Sequence, residues 1–209
     1  MPASKNRARR QVRLSRSLGL ALTPKAVKYF EKRPYPPGEH GRARRRNESD
    51  YAVRLKEKQR LRAQYGLREV QLRRAFDEAR REPHLTGESL VELLEMRLDA
   101  LVMRAGFGRT IAQARQHVTH RHILVDGQIV DRPSFRVKPG QVIQVKPRSQ
   151  TTVPFQVAAA GAHRDVLPTV PDYLDVDLEK LRFQLVRRPK RAEVPVTCEV
   201  QLVVEHYSR

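Results

Sequence analysis

The stretch that most restricts the fold lies at residues 109–130 and reads RTIAQARQHVTHRHILVDGQIV. A step of about 100° per residue from Ile111 places Ala114 and Val118 beside it, which predicts the buried side of a helix. Two short apolar runs separated by Asp-Gly follow. This pair of residues tolerates the positive φ angles of a type I′ turn and therefore predicts a hairpin. A helix leading directly into a hairpin indicates a small α/β unit.

The other side of this helix is polar and contains no acid. Its residues fall within about 100° of one another by the same step, and they are Arg109, Gln113, Gln116, His117 and His120. Arg115 lies at the margin of the buried side, from which its guanidinium can reach outward over its own stem. Such a face is suited to contact a polyanion.

The charge of the chain supports this interpretation because it is unevenly distributed. The net charge is +19, and residues 1–46 contain 14 basic and 2 acidic residues, whereas residues 97–150 contain 10 and 3. The segments 47–96 and 151–209 are each neutral. Two segments of one sign indicate two binding faces. Of the 42 basic residues 32 are Arg, whose planar fork matches phosphate, although a GC-rich genome also explains this choice.

Other patterns predict the remaining elements. Residues 1–23 read as a polar arm without a core-forming pattern, and residues 32–46 as an irregular strap rich in Pro and Gly. Helices are predicted at 24–32, at 50–65 with Ser49 as cap, at 68–82, and from Ser89 to Gly106 along a leucine stripe. Strands are predicted within 133–145, 173–178 and 183–188. The last segment, VQLVVEHYSR, fits either a strand or a helix.

The sequence lacks the motifs that are typical of several other kinds of site. There is no glycine-rich phosphate loop, no Cys pair for zinc and no run of about 18 apolar residues that would span a membrane. His117, His120 and His122 are close together but lack further ligands, so they are interpreted as surface or RNA-facing imidazoles. The single Cys198 fits a reducing compartment and predicts a buried, inert thiol.

One fragment, MRLDALV at residues 96–102, resembles the catalytic motif of pseudouridine synthases. Asp99 is expected on a leucine-striped helix, exposed or paired with Arg, and the chain lacks the large catalytic domain of those enzymes. An enzyme is therefore not predicted, but an RNA-modifying enzyme stays as one alternative. A general binder of nucleic acid or of anionic membranes is the other.

Several blocks, in the right order, carry a family resemblance. They are KRPYPPGEHG, SDYAVRLKEKQRLRAQYG, LLEMRLDALVMRAGF, RTIAQARQHVTHRHILVDGQIV, RPSFRVKPGQVIQV and QLVVEHYSR. Together they resemble ribosomal protein four of the bacterial small subunit, and TTVPFQV with the arginine-rich style is most similar to actinobacterial versions. The resemblance implies an α+β fold with a helical domain, an inserted α/β RNA-binding domain (a helix–hairpin unit) and a basic N-terminal arm.

The implied domains are the arm and strap at 1–46, a helical domain at 47–97 that is completed by 192–209, and the inserted domain at 98–191. The terminal segment should then be a helix packed on the first domain. The implied function is that of a structural component of the small ribosomal subunit and not of an enzyme, with no cofactor. It would act in the cytoplasm as a primary rRNA-binding protein that nucleates assembly at a junction in the 5′ domain. It would also line the channel through which mRNA enters, contact ribosomal protein five of the small subunit and contribute to decoding accuracy.

The candidate RNA-binding residues combine the helix face with what the resemblance implies. They are Arg7, Arg9, Arg10, Arg13, Arg16, Arg97, Arg104, Arg109, Arg115, Gln116, His120, Arg121 and Arg132. The candidate mRNA-channel residues are Arg42, Arg44, Arg45 and Arg46. For Arg97 and Arg104, salt bridges on the helix surface are an equal alternative.

Three departures from the family pattern carry expectations. Many members bind zinc through four N-terminal cysteines; this arm has none, so contact with RNA would order it instead. Asp126 replaces the usual Asn of the hairpin turn, which places a negative charge near the RNA. Gln141 stands where Asp usually follows the later Pro-Gly turn.

Overall fold

The computed structural model describes residues 2–43 and 47–208, with side chains described from Ala8 onward. The chain forms two compact units: one contains the residues up to Glu69 and those from Val196 on, and the other spans Val70–Pro195. Helices dominate the first unit, and the second adds one antiparallel sheet. The predicted α+β class is therefore confirmed. Within the described residues, no helix is long and apolar enough to cross a membrane.

The described residues form ten α-helices and five strands. The helices are α1 (Pro2–Leu18), α2 (Pro24–Lys32), α3 (Asp50–Gln64), α4 (Glu69–Ala79), α5 (Thr86–Glu95), α6 (Leu98–Arg104), α7 (Ile111–Thr119), α8 (Pro147–Gln150), α9 (Val153–Ala159) and α10 (Val200–Ser208). The strands are β1 (Ile123–Val125), β2 (Gln128–Ile129), β3 (Val142–Val145), β4 (Leu174–Asp177) and β5 (Arg182–Leu185).

The C-terminal segment is a helix, as the resemblance implied, and it packs on α3. Val203 of α10 and Leu61 of α3 are fully buried in this contact region of the first unit. The Tyr207 hydroxyl donates to Glu69 Oε1 at 2.8 Å, and the same carboxylate accepts from Lys58 Nζ at 2.9 Å. Apolar contacts and these hydrogen bonds together hold α10 on α3.

The N-terminal arm is helical, and its described side chains contribute little to the core, in line with the polar pattern of the sequence. Helix α1 buries Leu18, and the Ser15 hydroxyl donates back to the Gln11 carbonyl oxygen at 2.9 Å. Arg60 Nε from α3 donates to the Leu18 carbonyl oxygen at 2.8 Å, which satisfies an unpaired acceptor at the helix end. Helix α1 was not predicted because a few apolar residues are enough to anchor one end of it.

The described part of the strap after α2, residues 33–43, is irregular apart from one 3-10 turn at Glu39–Arg42. The Arg16 guanidinium donates to the carbonyl oxygens of Arg33 at 3.1 Å, Tyr35 at 3.0 Å and Pro36 at 3.2 Å. A Cβ at Gly41 would lie 2.0 Å from the Pro36 carbonyl oxygen, so only glycine fits there. Contacts within the protein therefore hold the described part of the strap in place, and the expectation that RNA orders the arm stays a prediction.

The predicted helix from Ser89 to Gly106 is two helices, α5 and α6. The backbone between them pairs with a neighbouring segment: Val137 N–H donates to the Met96 oxygen at 2.9 Å, and Leu98 N–H to the Phe135 oxygen at 2.8 Å. Ser89 lies inside α5 and not at its cap; its hydroxyl is buried without a hydrogen-bond partner in the described part of the chain. Backbone hydrogen bonds to residues 135–137 therefore interrupt the single helix that the continuous leucine stripe predicted.

This pairing also explains where the units divide. Contacts group residues 70–97 with the second unit, and the predicted domain boundary at 97 stays a prediction. In addition to the backbone bonds at Met96 and Leu98, Glu78 of α4 forms an ion pair with Arg136, with Nη2 to Oε2 at 2.7 Å. These bonds attach α4 and α5 to the segment that precedes β3.

The sheet has the strand order β2-β1-β3-β5-β4, and all its pairs are antiparallel. The predicted hairpin is confirmed, since Leu124 pairs with Ile129 and the turn residues Asp126 and Gly127 have φ angles of 48° and 80°. Helix α7 packs against α6. Helix α9 was not predicted, although Pro154 lies in its first turn, a position that proline favours.

Candidate nucleic-acid interface

Helix α7 presents the predicted basic and polar face. Thr110 caps the helix, its hydroxyl oxygen accepting from Gln113 N–H at 3.2 Å, which satisfies one free donor of the first turn. Arg109, Gln116 and His120 are exposed, whereas Ala114 and Val118 are fully buried. The apolar periodicity thus orients the helix so that these three polar side chains face solvent.

His117 does not belong to this face, contrary to the prediction. Only 6% of the residue is exposed, and its ring lies 4.5 Å from the Phe155 ring, centroid to centroid. Burial, and next the charge of His122, lower its pKa from 6.5 to about 4, so the imidazole is neutral at pH 7. Nε2 is buried without a hydrogen-bond partner among the described residues. The apolar environment of α9, which was not predicted, explains the error.

No metal site is formed by the described residues: no group of three or more His, Cys, Asp and Glu side chains is arranged to bind an ion. His122 Nδ1 instead lies 2.9 Å from Ser149 Oγ, a hydrogen bond that holds the ring beside α8. Cys198 is half-buried rather than fully buried, and its thiol lies 3.7 Å from the Glu57 carbonyl oxygen.

Asp99 lies at the base of the α7 face and is completely buried. Arg97 binds it through two bonds, Nε to Oδ1 at 3.0 Å and Nη2 to Oδ2 at 2.9 Å. Arg115 from α7 donates to the same Oδ2 from Nε at 3.0 Å and from Nη2 at 2.7 Å. The prediction that Asp99 pairs with Arg is confirmed, and its burial keeps this carboxylate from the position that a catalytic residue needs.

Arg97 and Arg104 are buried, with side chains that are 10% and 7% exposed. Arg104 Nε donates to Glu95 Oε1 at 2.6 Å, and Tyr173 donates its hydroxyl to the same oxygen at 2.8 Å. Burial beside the Glu95 carboxylate raises the pKa of Tyr173. The alternative of salt bridges therefore describes both arginines, but inside the fold and not on a helix surface. Burial removes them from the candidate RNA-binding surface.

Arg115 is the arginine that links this buried carboxylate to the surface, since its side chain is 33% exposed. Arg121, just after α7, is 69% exposed and donates from Nε to Asp131 Oδ2 at 3.1 Å. Its φ of 62° is left-handed, a conformation that glycine usually supplies at a helix end. Arg132 is also exposed. The exit of α7 therefore adds one exposed arginine, Arg121, to the face, whereas Arg132 follows β2.

The two unusual turn residues bind each other. Gln141 Nε2 donates to Asp126 Oδ2 at 2.7 Å, and Val142 N–H donates to Asp126 Oδ1 at 2.9 Å. The Asp126 charge is thus partly satisfied within the protein and ties the hairpin turn to the start of β3. Sequence reasoning treated the two departures separately and could not detect that they form a pair.

The first unit carries a second basic surface along α1. Arg9, Arg10 and Arg13 are exposed, whereas the Arg16 guanidinium binds the strap carbonyls described above. Arg42 is exposed and donates from Nη2 to the Tyr35 hydroxyl at 3.0 Å, a bond that lowers the Tyr35 pKa. The side chain of Arg7 and all of Arg44, Arg45 and Arg46 lie outside the described residues.

A groove of about 740 Å³ between α1 and α2 extends this surface. Its lining contains six cationic side chains and no acid, namely Arg9, Arg13, Arg16, Lys25, Lys32 and Arg33, together with Ala8, Val12 and Tyr29. The residues of α2 and Arg33 were missed by sequence analysis. The signal was present, because Lys25, Lys28 and Lys32 recur at helical spacing in α2.

Comparison with known proteins identifies the family. Residues 6–95 match the family model described as ribosomal protein S4/S9 N-terminal domain, and residues 96–143 match the S4 domain. A protein of Beutenbergia cavernae named small ribosomal subunit protein uS4 is 84% identical over 207 residues, covering 99% of this chain and 100% of the relative. Proteins of the same name from Pseudarthrobacter chlorophenolicus and Micrococcus luteus are 75% and 71% identical; they cover 99% and 97% of this chain and are themselves covered over 100% and 98% of their length. The chain therefore belongs to the uS4 family of small ribosomal subunit proteins.

Proposed function

We propose that this chain is a primary rRNA-binding protein that nucleates assembly of the small subunit at a junction in the 5′ domain of its rRNA. Membership of the uS4 family supports a structural role in the ribosome. The observation that carries the RNA contact is the exposed face of α7, which presents Arg109, Gln116 and His120, while Asp99, the acid that binds Arg115 of this helix, is buried. Folding therefore leaves this face positive.

The chemistry of the face suits a folded RNA. Arg109, Arg121 and Arg132 would neutralise phosphates and release counterions, which supplies affinity but little sequence information. Gln116 and His120 offer hydrogen-bonding groups that suit 2′-hydroxyls, the feature that distinguishes RNA from DNA. Specificity would then follow from how well the RNA shape places phosphates and hydroxyls against a rigid helix.

The first experiment is equilibrium binding of the full chain to a 5′-domain transcript and to a scrambled RNA, in salt up to about 200 mM. Preference for the authentic transcript at the highest salt is expected. Arg109→Ala should weaken binding to that transcript and lower the slope of log K against log salt by about 0.7–0.9, the value for one phosphate contact. The matched control is Arg74→Ala, which removes an exposed arginine from α4.

Two results would oppose the proposal. Equal affinity for both RNAs at high salt would indicate a binder that recognises charge alone, and similar binding to anionic vesicles would identify the same behaviour. Equal effects of Arg109→Ala and Arg74→Ala would remove α7 from the interface. If the chain were instead an RNA-modifying enzyme, Asp99→Asn would abolish turnover and leave RNA binding intact.

The proposal includes an early place in assembly. Reconstitution of the small subunit without this chain should yield particles that lack other proteins of the 5′ domain, and addition of the chain at the start should restore them. Addition at the end should restore them less completely, because a nucleating protein must bind before the RNA folds around it. Full recovery after late addition would refute nucleation.

We also propose that the strap lines the channel through which mRNA enters, near ribosomal protein five of the small subunit, and contributes to decoding accuracy. Arg42 is exposed, and Arg44, Arg45 and Arg46 follow it in the sequence, so the segment offers a run of cations to an incoming phosphate backbone. Alanine at these four positions should alter misreading in a reporter and slow unwinding of structured mRNA. Unchanged behaviour in both assays would refute this role.

A further inference from the structure

The groove between α1 and α2 differs from a merely basic surface because it contains an exposed aromatic ring. Tyr29 lines the groove and is 47% exposed, although tyrosine is usually at least partly covered. The same helix buries Ala26. About half of Tyr29 is therefore open to solvent at the groove, where a ligand can reach it.

The side chains around this ring favour an anionic partner. Arg9 and Arg13 line one wall from α1, and Lys25, Lys32 and Arg33 line the other. Glu31 lies on α2 but does not line the groove. A basic partner would be repelled by these cationic walls, and a neutral partner would leave their charges unpaired. A chain of phosphates would pair with them.

The combination of phosphate-binding walls and a flat ring distinguishes between forms of RNA. In a duplex the bases are stacked inside, so a tyrosine cannot stack on them, whereas an unpaired strand exposes its bases. Aromatic stacking on one base together with a positive groove along the backbone is the general way in which proteins bind single strands. We propose that the α1–α2 groove binds an unpaired RNA segment, with its phosphates along the cationic walls and one base stacked on Tyr29.

This inference rests on the proposed function, because it assigns a second contact for the same class of ligand. It also gives the two basic surfaces different tasks. The α7 face, which has no exposed Phe or Tyr among its described residues, would read the shape of folded RNA. The groove would capture a strand that is not yet paired or that leaves a junction.

The test is binding of the full chain to a mixed-sequence 12-nucleotide RNA, labelled with fluorescein, and to its fully paired duplex. Tyr29→Ala should weaken binding to the single strand by about 5-fold or more, the loss expected for one base stack, and leave duplex binding unchanged. Tyr29→Phe should bind as the wild type does, because stacking needs the ring and not the hydroxyl. The salt slope should be unaffected by Tyr29→Ala, since no charge is removed, but reduced by about 0.7 in Arg13→Ala.

Tyr51→Ala is the matched control, because Tyr51 is also an exposed tyrosine of the first unit but does not line the groove. Equal losses for Tyr29→Ala and Tyr51→Ala, or equal losses for single strand and duplex, would overturn the inference. A Tyr29→Ala protein that binds the single strand normally, while the wild type still prefers the 5′-domain transcript to scrambled RNA, would refute the groove alone. The proposed function would be refuted instead if the wild type did not prefer the 5′-domain transcript while Tyr29→Ala still weakened binding to the single strand.

Discussion

Replacement of Asp99 by Asn tests how the buried carboxylate supports the α7 face. The change removes the one negative charge that faces two guanidinium groups, Arg97 and Arg115. Loss of one partner from a buried ion pair costs about 3–5 kcal/mol. The Arg97 side chain is 10% exposed, so its contribution is close to the full value, whereas solvent screens the pair with Arg115, which is 33% exposed. We expect a loss of about 3–4 kcal/mol.

Urea unfolding followed by hydrogen exchange in residues 70–195 measures this loss within the second unit. In thermal unfolding the same loss corresponds to a decrease in Tm of roughly 6–16 °C for a chain of this size. The matched control is Asp77→Asn, since Asp77 forms an exposed pair with Arg73 at 3.1 Å and should cost less than about 0.5 kcal/mol. A loss for Asp99→Asn as small as that of the control would refute the argument that this buried charge is needed.

The same variant tests whether Asp99 orients Arg115 toward RNA. If it does, Asp99→Asn should weaken binding to the 5′-domain transcript in the wild-type background but have little further effect when Arg115 is already Ala. The expected interaction energy lies within about 0.5–3 kcal/mol. An equal loss in both backgrounds would mean that Asp99 supports the fold only. The measurement is made below the unfolding transition, so that folded protein is compared with folded protein.

Three further predictions concern single positions. Arg16→Ala should increase proteolysis and hydrogen exchange of the strap, since three carbonyl oxygens lose their donor, and Arg16→Lys should not rescue them because one ammonium cannot match the planar fork; unchanged protection would refute this. The wild type should lose up to about 3 kcal/mol of stability as pH falls from about 6.5 to 4, because the unfolded His117 imidazole binds a proton in this window and the folded one, whose pKa is about 4, does not. His117→Phe should remove this loss. Equal pH profiles of the two proteins in urea titrations would refute the prediction. Arg121→Gly should retain or increase stability, because glycine accepts the left-handed φ of 62°, yet weaken RNA binding; weaker stability with unchanged affinity would contradict the assignment.

The local patterns of the sequence predicted those parts of the fold that depend on neighbours in the chain. The Ser49 cap of α3, the Asp-Gly hairpin and the buried side of α7 at Ala114 and Val118 all follow from local residue types and spacing. Long-range contacts could not be predicted in the same way. The break at Met96 depends on backbone bonds to Val137, more than 40 residues away.

The candidate site shows the same limit for side chains. Exposed arginines such as Arg109 could be selected from the helical face. Arg97 and Arg104 pair with acids close to them in the sequence, but the burial of these pairs depends on tertiary packing, such as that of Tyr173 on Glu95. His117 was placed on the polar face by its angle, and only the unexpected packing of Phe155 from α9 buries it. Periodicity shows which side of a helix is apolar, but it does not show how much of the helix surface a neighbouring element covers.

The arrangement of acids explains how a chain with 23 acidic residues presents positive surfaces. In the second unit, Glu95 and Asp99 are completely buried, and their partners Arg104 and Arg97 are buried with them. These pairs add no negative field outside, whereas Arg115 extends from the Asp99 pair toward the surface, where its side chain is 33% exposed. Exchanging Asp99 and Arg115 would leave the composition unchanged and place a carboxylate on the α7 face. The positive face therefore depends on which charges the fold buries, and the net charge of the sequence alone does not determine it.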